Sequence, residues 1–264
     1  MFIFTVNINS LPQRLYCMKQ IYGNYNKEDF EVWRILYERQ IKNLPNAASK
    51  AHLEGLEKVN FVADEIPKFS ETNEILQDLT GWRLAVVPGI VPDYTFFELM
   101  SNKRFPATTW LRKMEELDYL EEPDMFHDVF AHVPLLTNQS FVNFLEELSV
   151  IGLGYVGNDY AIELLSRIYW FTVEFGLIQE DAGLRIYGAG ILSSAGETKY
   201  SLSEEPPKHA FDVRTIANTS YRKDVFQDRY FVIESYEQLY ESLPEIKAVL
   251  AEMVEKSQHE EVLT

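Results

Sequence analysis

The sequence is poor in the residues that mark several large functional classes. It has one cysteine, Cys17, in 264 residues, which excludes an internal disulfide framework and implies a reducing compartment. Its 24 Lys and Arg stand against 41 Asp and Glu, for a formal net charge of −17. That balance repels nucleic acid and anionic lipid, and no basic cluster overcomes it locally. The longest apolar runs, such as LAVVPGIV at 84–91, fall well short of the ~20 residues of a membrane span. The opening MFIFTVNINS has neither a basic start nor a small-residue cleavage site, so it does not read as a secretion signal. A cytoplasmic protein with no membrane or nucleic-acid partner is expected. Repeats, low-complexity tracts and Gly/Pro/Ser-rich linkers are missing too, which points to a single domain.

What remains is an ordinary globular composition, 46% apolar and 25% charged, in a chain long enough to bury a substantial core. Phe30, Trp33, Tyr37, Ile41 and Leu44 recur at helical spacing and stop at Pro45, predicting an amphipathic helix. Short helices are expected over 46–80, with SETNEIL from Ser70 as a capping pattern. Pro88, Gly89 and Pro92 mark a loop before a helix near Asp93. Helices are expected over 140–150, 160–178 and the C-terminal twenty residues. GAGILSSAGE reads as a turn-rich connection and RYFVIES, 229–235, as the best strand. The fold class is therefore mainly α with a few short β-strands. Met18 opens MKQIYGNY and is a second candidate start.

Histidine is scarce as well: five in all, two of them in EEPDMFHDVFAHVPLL, 121–136. His127 and His132 lie five apart, roughly 140° apart on an α-helix. They can still converge if the helix ends there, and Pro134 supplies an end by disfavouring α conformation at Val133. The plain alternative is two half-buried histidines bonded to carbonyls. Glu174 in SRIYWFTVEFGLI bears on the choice. Its helical neighbours Trp170, Phe171, Leu177 and Ile178 are apolar, so its carboxyl is neutral, turned to water or met by a cation from another segment, with water the awkward choice on so apolar a helix. That cation is either a basic side chain such as Arg112 or a metal held by the two histidines. Two imidazoles and one carboxylate form a facial triad of the non-haem Fe(II) type, and the same set also serves catalytic zinc. Asp128 is a candidate base or brace beside the first histidine.

PDMFHDVFAHVPLL, RIYWFTVEFGLI, RIYGAGILSSAGE and TGWRLAVVPG together closely resemble the catalytic domain of the pterin-dependent aromatic amino acid hydroxylases, with bacterial phenylalanine 4-hydroxylases the nearest branch. The resemblance runs from about Tyr25 to Tyr240. It implies that His127, His132 and Glu174 hold Fe(II), with Asp128 beside them. It implies that Arg112, braced by Asp124, pairs with the carboxylate of a free amino acid, a contact suited to a bidentate guanidinium. By the same resemblance Trp170, Phe130 and Pro134 surround the substrate ring. Gly190 and Ser193 lie in the turn beside it, and Lys223 stands at a specificity position. Gly89, Ile90, Val91 and Phe96 form the tetrahydropterin segment.

The implied reaction is hydroxylation of L-phenylalanine to L-tyrosine with O2 and a reduced pterin, with catabolism of phenylalanine or supply of tyrosine both open. The implied layout is an N-terminal extension, 1–20, a catalytic domain, 21–243, and a C-terminal helix with an acidic tail, 244–264. The regulatory domain and tetramerisation helix of animal relatives have no counterpart, which implies a monomer. Three departures stand out: Ala131 where a glycine is usual, Lys223 where an aliphatic residue is usual, and Asp128 in place of the animal glutamate. Lys223 leaves tyrosine, tryptophan or meta-hydroxylating siblings as rivals. A His-His-Glu zinc hydrolase and a non-catalytic helical module are the others.

Overall fold

The computed structural model describes residues 18–118, 120 and 122–262. Cys17 and most of the expected N-terminal extension lie outside the described residues. The chain is mainly helical, as the sequence predicts. Helix α1, Lys27–Asn43, starts at a reciprocal cap in which Asn26 and Asp29 bond each other's backbone, satisfying amides that the first helical turn leaves open. Its buried face is Val32, Trp33, Leu36 and Gln40. Ile41 is exposed, so the buried stripe is rotated from the expected one, because Gln40 turns inward to bond the Leu192 carbonyl.

Helices α2, Lys50–Val59, and α3, Phe69–Thr80, fill the next region. The cap of α3 differs from the expected one. Ser70 is already inside the helix, and the Phe69 amide donates to the side chain of Gln20. The chain before α1 thus caps α3 from a distance, which no local pattern reveals. Asn73 instead ties α3 to the backbone of Leu84. Leu84 belongs to strand β1, Arg83–Val86, which crosses over through helix α4, Asp93–Ser101, to the parallel strand β2, Arg104–Ala107.

Helices α5, Gln139–Leu153, and α6, Asp159–Tyr169, are both capped by asparagine side chains. The helix expected over 160–178 stops early and passes into strand β3, Leu177–Glu180. Gly183 (φ 106°) turns the chain into β4, Gly183–Ile186. GAGILSSAGE folds as two short helices, α7, Ala189–Leu192, and α8, Ala195–Leu202. Strand β5, Lys208–Ala210, helix α9, Val213–Ala217, strand β6, Tyr230–Ile233, and helix α10, Tyr236–Glu241, follow. The second sheet has the order β4-β3-β6-β5, with β6 parallel to both neighbours. Helix α11, Leu243–Val262, places Leu243, Ile246, Val249 and Leu250 in the same core as the rest. No helix among the described residues is long and apolar enough to cross a membrane.

Candidate active site

The two segments singled out from sequence both leave the α-helical path. Phe126–Ala131 and Trp170–Glu174 are π-helical turns; in the second the Phe175 amide bonds the Trp170 carbonyl, five residues back, at 2.8 Å. Such turns are rare and occur mostly as single wider turns within helices. The wider winding answers the objection raised by α-helical spacing. Residues five apart come nearly into line, and the Nε2 atoms of His127 and His132 stand 3.2 Å apart. Glu174 then completes the group, at 3.4 Å from His127 Nε2 and 3.3 Å from His132 Nε2.

The proton positions decide what this group needs. Ser193 Oγ donates to the Ala189 carbonyl at 3.0 Å, so it accepts from Nδ1–H of His127 at 3.0 Å. That tautomer leaves the lone pair of His127 Nε2 facing His132 and Glu174. Burial lowers the His132 pKa, keeping that imidazole neutral. Burial alone would raise the Glu174 carboxyl, but the facing His132 and His127 more than reverse this and hold it well below the usual range. Glu174 Oε1 is buried and accepts no well-formed hydrogen bond. Two imidazoles and a carboxylate converging within 4.8 Å of one another are a ligand set that fits a cation. With metal–ligand bonds of about 2.1 Å, donors at right angles are ~3.0 Å apart and at tetrahedral angles ~3.4 Å apart. The observed separations lie between these values, so the side chains already have the spacing of a metal site. Donor spacing alone does not choose between iron and zinc.

The surroundings hold the first π turn in place. Asp128 accepts from the Thr108 amide at 2.8 Å and its hydroxyl at 2.9 Å, at the end of β2. Burial pushes the Asp128 carboxyl up, against the pull of His127 and those donors. Asp124 takes Arg112 Nε and a terminal nitrogen, both at 2.9 Å. It also accepts the His127 amide at 3.1 Å. The Arg112–Asp124 pair is buried and links the guanidinium directly to the histidine turn. Only two of the five guanidinium N–H groups are used on this carboxylate.

A cavity of about 850 Å³ opens from this centre. Of the residues expected from sequence, His127, Glu174, Arg112, Trp170, Gly190, Ser193 and Lys223 line it. His132, Asp128 and Asp124 sit directly behind. Phe130 and Pro134, expected beside the substrate ring, are not on this wall. Phe130 stacks on Phe126 at 4.6 Å in the core, and the Pro134 carbonyl lies so close to Gly55 that a Cβ there would come within 2.1 Å. Gly89, Ile90, Val91 and Phe96 are also outside the cavity lining; Phe96 is 2% exposed and meets Phe97 and Tyr169 edge-on. Ala131 is buried without leaving its turn. The Lys223 ammonium lies 5.7 Å from the centre of the Tyr221 ring, and Tyr221 stacks on Trp170 at 4.3 Å.

Sequence reasoning missed Phe175, Gln40 and Glu197, which also line the cavity. Phe175 follows Glu174 directly and could have been taken with it. Glu197 ends the GAGILSSAGE motif, where its spacing from Ser194 suggests only a helix cap, and Gln40 carries no local signal, since it is brought in by a helix that is remote in sequence.

The profile of the biopterin-dependent aromatic amino acid hydroxylases matches residues 17–258. The phenylalanine-4-hydroxylase of Chromobacterium violaceum is 48% identical over 234 residues, covering 88% of this chain and 76% of that protein. The structure of phenylalanine hydroxylase from the same organism with bound iron(III) and 7,8-dihydrobiopterin superposes with a TM-score of 0.86 at 45% identity, over 94% of both chains. Its iron- and phenylalanine-bound form gives 0.84 at 44% identity, over 92% of this chain and 90% of that one.

Proposed function

The chain belongs to the biopterin-dependent aromatic amino acid hydroxylases, and on that premise we propose that it is an iron- and pterin-dependent enzyme converting free L-phenylalanine to L-tyrosine with O2. The observation that carries the reading is the inward-facing set of His127, His132 and Glu174 at the end of a large aromatic cavity. These three residues would hold the iron. Bound iron and reduced pterin supply the redox chemistry with O2; the chain supplies orientation, protonation states and exclusion of water.

Each side chain has a definite task. Ser193 fixes the His127 tautomer, and Asp124 fixes both the His127 turn and the Arg112 fork. Arg112 keeps N–H donors for the carboxylate of a free amino acid, a charge-assisted contact that sets the orientation of the ring. Trp170 and Phe175, tilted together with ring centres 4.6 Å apart, offer the apolar wall that a flat substrate ring needs. Asp128, held by Thr108, is a brace for the ligand turn. Gly89, Ile90, Val91 and Phe96 remain our proposed pterin segment, on the strength of the family resemblance. Gly188 and Gly190 let α7 close on the second π turn: a Cβ at 188 would lie 2.5 Å from the Glu174 carbonyl. A monomer working in the cytoplasm completes the reading, supported by the single cysteine and the acidic composition.

The test is a product assay on protein loaded with Fe(II) and given tetrahydropterin, O2 and, separately, phenylalanine, tyrosine and tryptophan. Pterin-dependent tyrosine from phenylalanine is the expected result. Pterin oxidation without hydroxylated phenylalanine would move the assignment to a sibling substrate, with Lys223 the first residue to change. Stoichiometric zinc and no O2 uptake would sink the hydroxylase reading.

A further inference from the structure

Helix α8 begins with Ser194, Ala195, Gly196 and Glu197, a spacing that reads as a capping box, in which the glutamate turns back to the amide of its cap residue. Only half of that box is formed. Ser194 Oγ accepts the Glu197 amide at 3.2 Å. The Ser194 amide, however, bonds the Ile191 carbonyl at 3.0 Å, and the Glu197 side chain reaches across to another segment. Its Oε1 accepts the Gln227 amide at 3.1 Å and the Tyr230 hydroxyl at 2.7 Å. The residue is 6% exposed, and among the described residues no basic side chain lies within ion-pair distance. Burial pushes its carboxyl up to about 7. Diverting an acid from a solvated cap to such a place has a cost; what it secures is Gln227.

Gln227 is a junction. Its side-chain oxygen accepts the Trp170 indole N–H at 2.9 Å. Its amide nitrogen donates to the carbonyls of Arg222, at 2.9 Å, and Val225, at 3.3 Å. One side chain therefore holds both the indole that walls the cavity and the loop that carries Lys223 to Phe226 along its rim. The same loop presses on α8 from outside: a Cβ at Gly196 would lie 2.8 Å from the Phe226 ring. With the backbone of Gln227 tied to α8 by Glu197, the indole and the rim cannot shift independently.

We propose that Glu197 is a positioning residue that acts through Gln227 to set the place of the Trp170 indole and of the 222–226 rim, and so the fit of the amino acid ring. The assignment rests on the functional reading above for its effect on substrate, but the brace itself does not.

The test separates the two. In 15N-labelled protein the four tryptophans each give an indole N–H resonance, and Trp170→Phe identifies the one at issue. Glu197→Ala is expected to shift or broaden the Trp170 resonance and leave those of Trp33, Trp82 and Trp110 in place. Glu197→Gln, whose amide oxygen can accept both bonds, is expected to restore it. In iron-loaded enzyme with tetrahydropterin, Glu197→Ala should raise the phenylalanine KM about tenfold while the pterin KM stays within about twofold. Glu197→Gln should recover most of that loss. Glu197→Asp, one methylene shorter, gives the same readouts if the alanine variant does not fold. A Trp170 resonance unmoved in folded Glu197→Ala, or an unmoved phenylalanine KM, overturns the proposal. A resonance that responds as expected in a protein that turns over no aromatic amino acid supports the brace and overturns the functional reading.

Discussion

At the inner end of the cavity His127 and Glu174, from two π turns, and His132, just after the first, face one another at 3.2 to 3.4 Å, and Glu174 is only 2% exposed. At the rim, Arg39 pairs with Asp118 at 2.6 Å and Arg222 with Asp224 at 2.6 Å, with both acids largely in water. The rim charges satisfy each other and the solvent. The inner carboxylate has no Lys or Arg partner among the described residues, only the two imidazoles. Buried polar groups left in that state are costly, so the inner end is complete only with a cation, whereas the rim is complete as it stands. Changes at the inner end should therefore cost function heavily, and changes at the rim should cost little.

The largest effect is expected from Glu174→Gln. Losing the anionic donor should reduce turnover more than about 100-fold, beyond the loss typical of residues that only support a metal ligand. Iron per chain, measured by metal analysis, should become substoichiometric. Turnover within threefold of wild type would erase the contrast between the two ends.

Arg112→Ala should come next and act in two ways. It removes the proposed carboxylate contact and leaves Asp124 buried without its counter-charge. Breaking such a pair costs about 3–5 kcal/mol, measurable by chemical denaturation, and the phenylalanine KM should rise at least about tenfold. Retained stability would show that Asp124 is satisfied without the guanidinium.

Glu197 should give a smaller, pH-dependent effect. Its carboxyl is raised from 4.5 to about 7, so the folded state binds more protons than the unfolded state between those values. Stability then falls as pH rises through that window and levels off above it. At 1.36 kcal/mol per pKa unit the loss is about 3 kcal/mol at most. Glu197→Gln should abolish this component, so the gap between variant and wild type should widen from pH 5 to pH 8 in thermal melts. A constant gap would mean that the carboxyl titrates near its ordinary value.

The smallest effect belongs to the rim. Asp118→Asn removes an ion pair whose acid is mostly solvated, and Tm should move by no more than about 1–2 °C. A larger shift would show the rim to be as tightly built as the inner end.

Chemistry made the metal ligands legible in the sequence. A glutamate surrounded by apolar helical neighbours raised the possibility of a cation, and two histidines near a proline could supply a metal. Local geometry did not favour them, because α-helical winding sets His127 and His132 far apart around the axis. The π turn is chosen by packing on both sides of the segment, and no pattern of residue types in the run records it. The cap of α3 shows the same limit: SETNEIL looked sufficient, yet Gln20 supplies the acceptor. At α8 the sequence pattern was present and half of it was put to another use, because burial against Gln227 and Tyr230 drew Glu197 away. Phe130 and Pro134 show the limit from the other side, since apolar residues near the ligands serve a core as readily as a cavity wall.

The sequence alone determined the class: a mainly helical, acidic chain with two scarce histidines and a glutamate among apolar neighbours, in motifs that place it in its family. These are properties of residue type and order, and they hold whatever the detailed packing. The tertiary structure decided which atoms meet: the π winding, the tautomer fixed by Ser193, the double use of Asp124 and the route from Glu197 to Trp170. Each depends on hydrogen bonds between segments remote in the chain, whose partners are selected by packing and desolvation in the folded core.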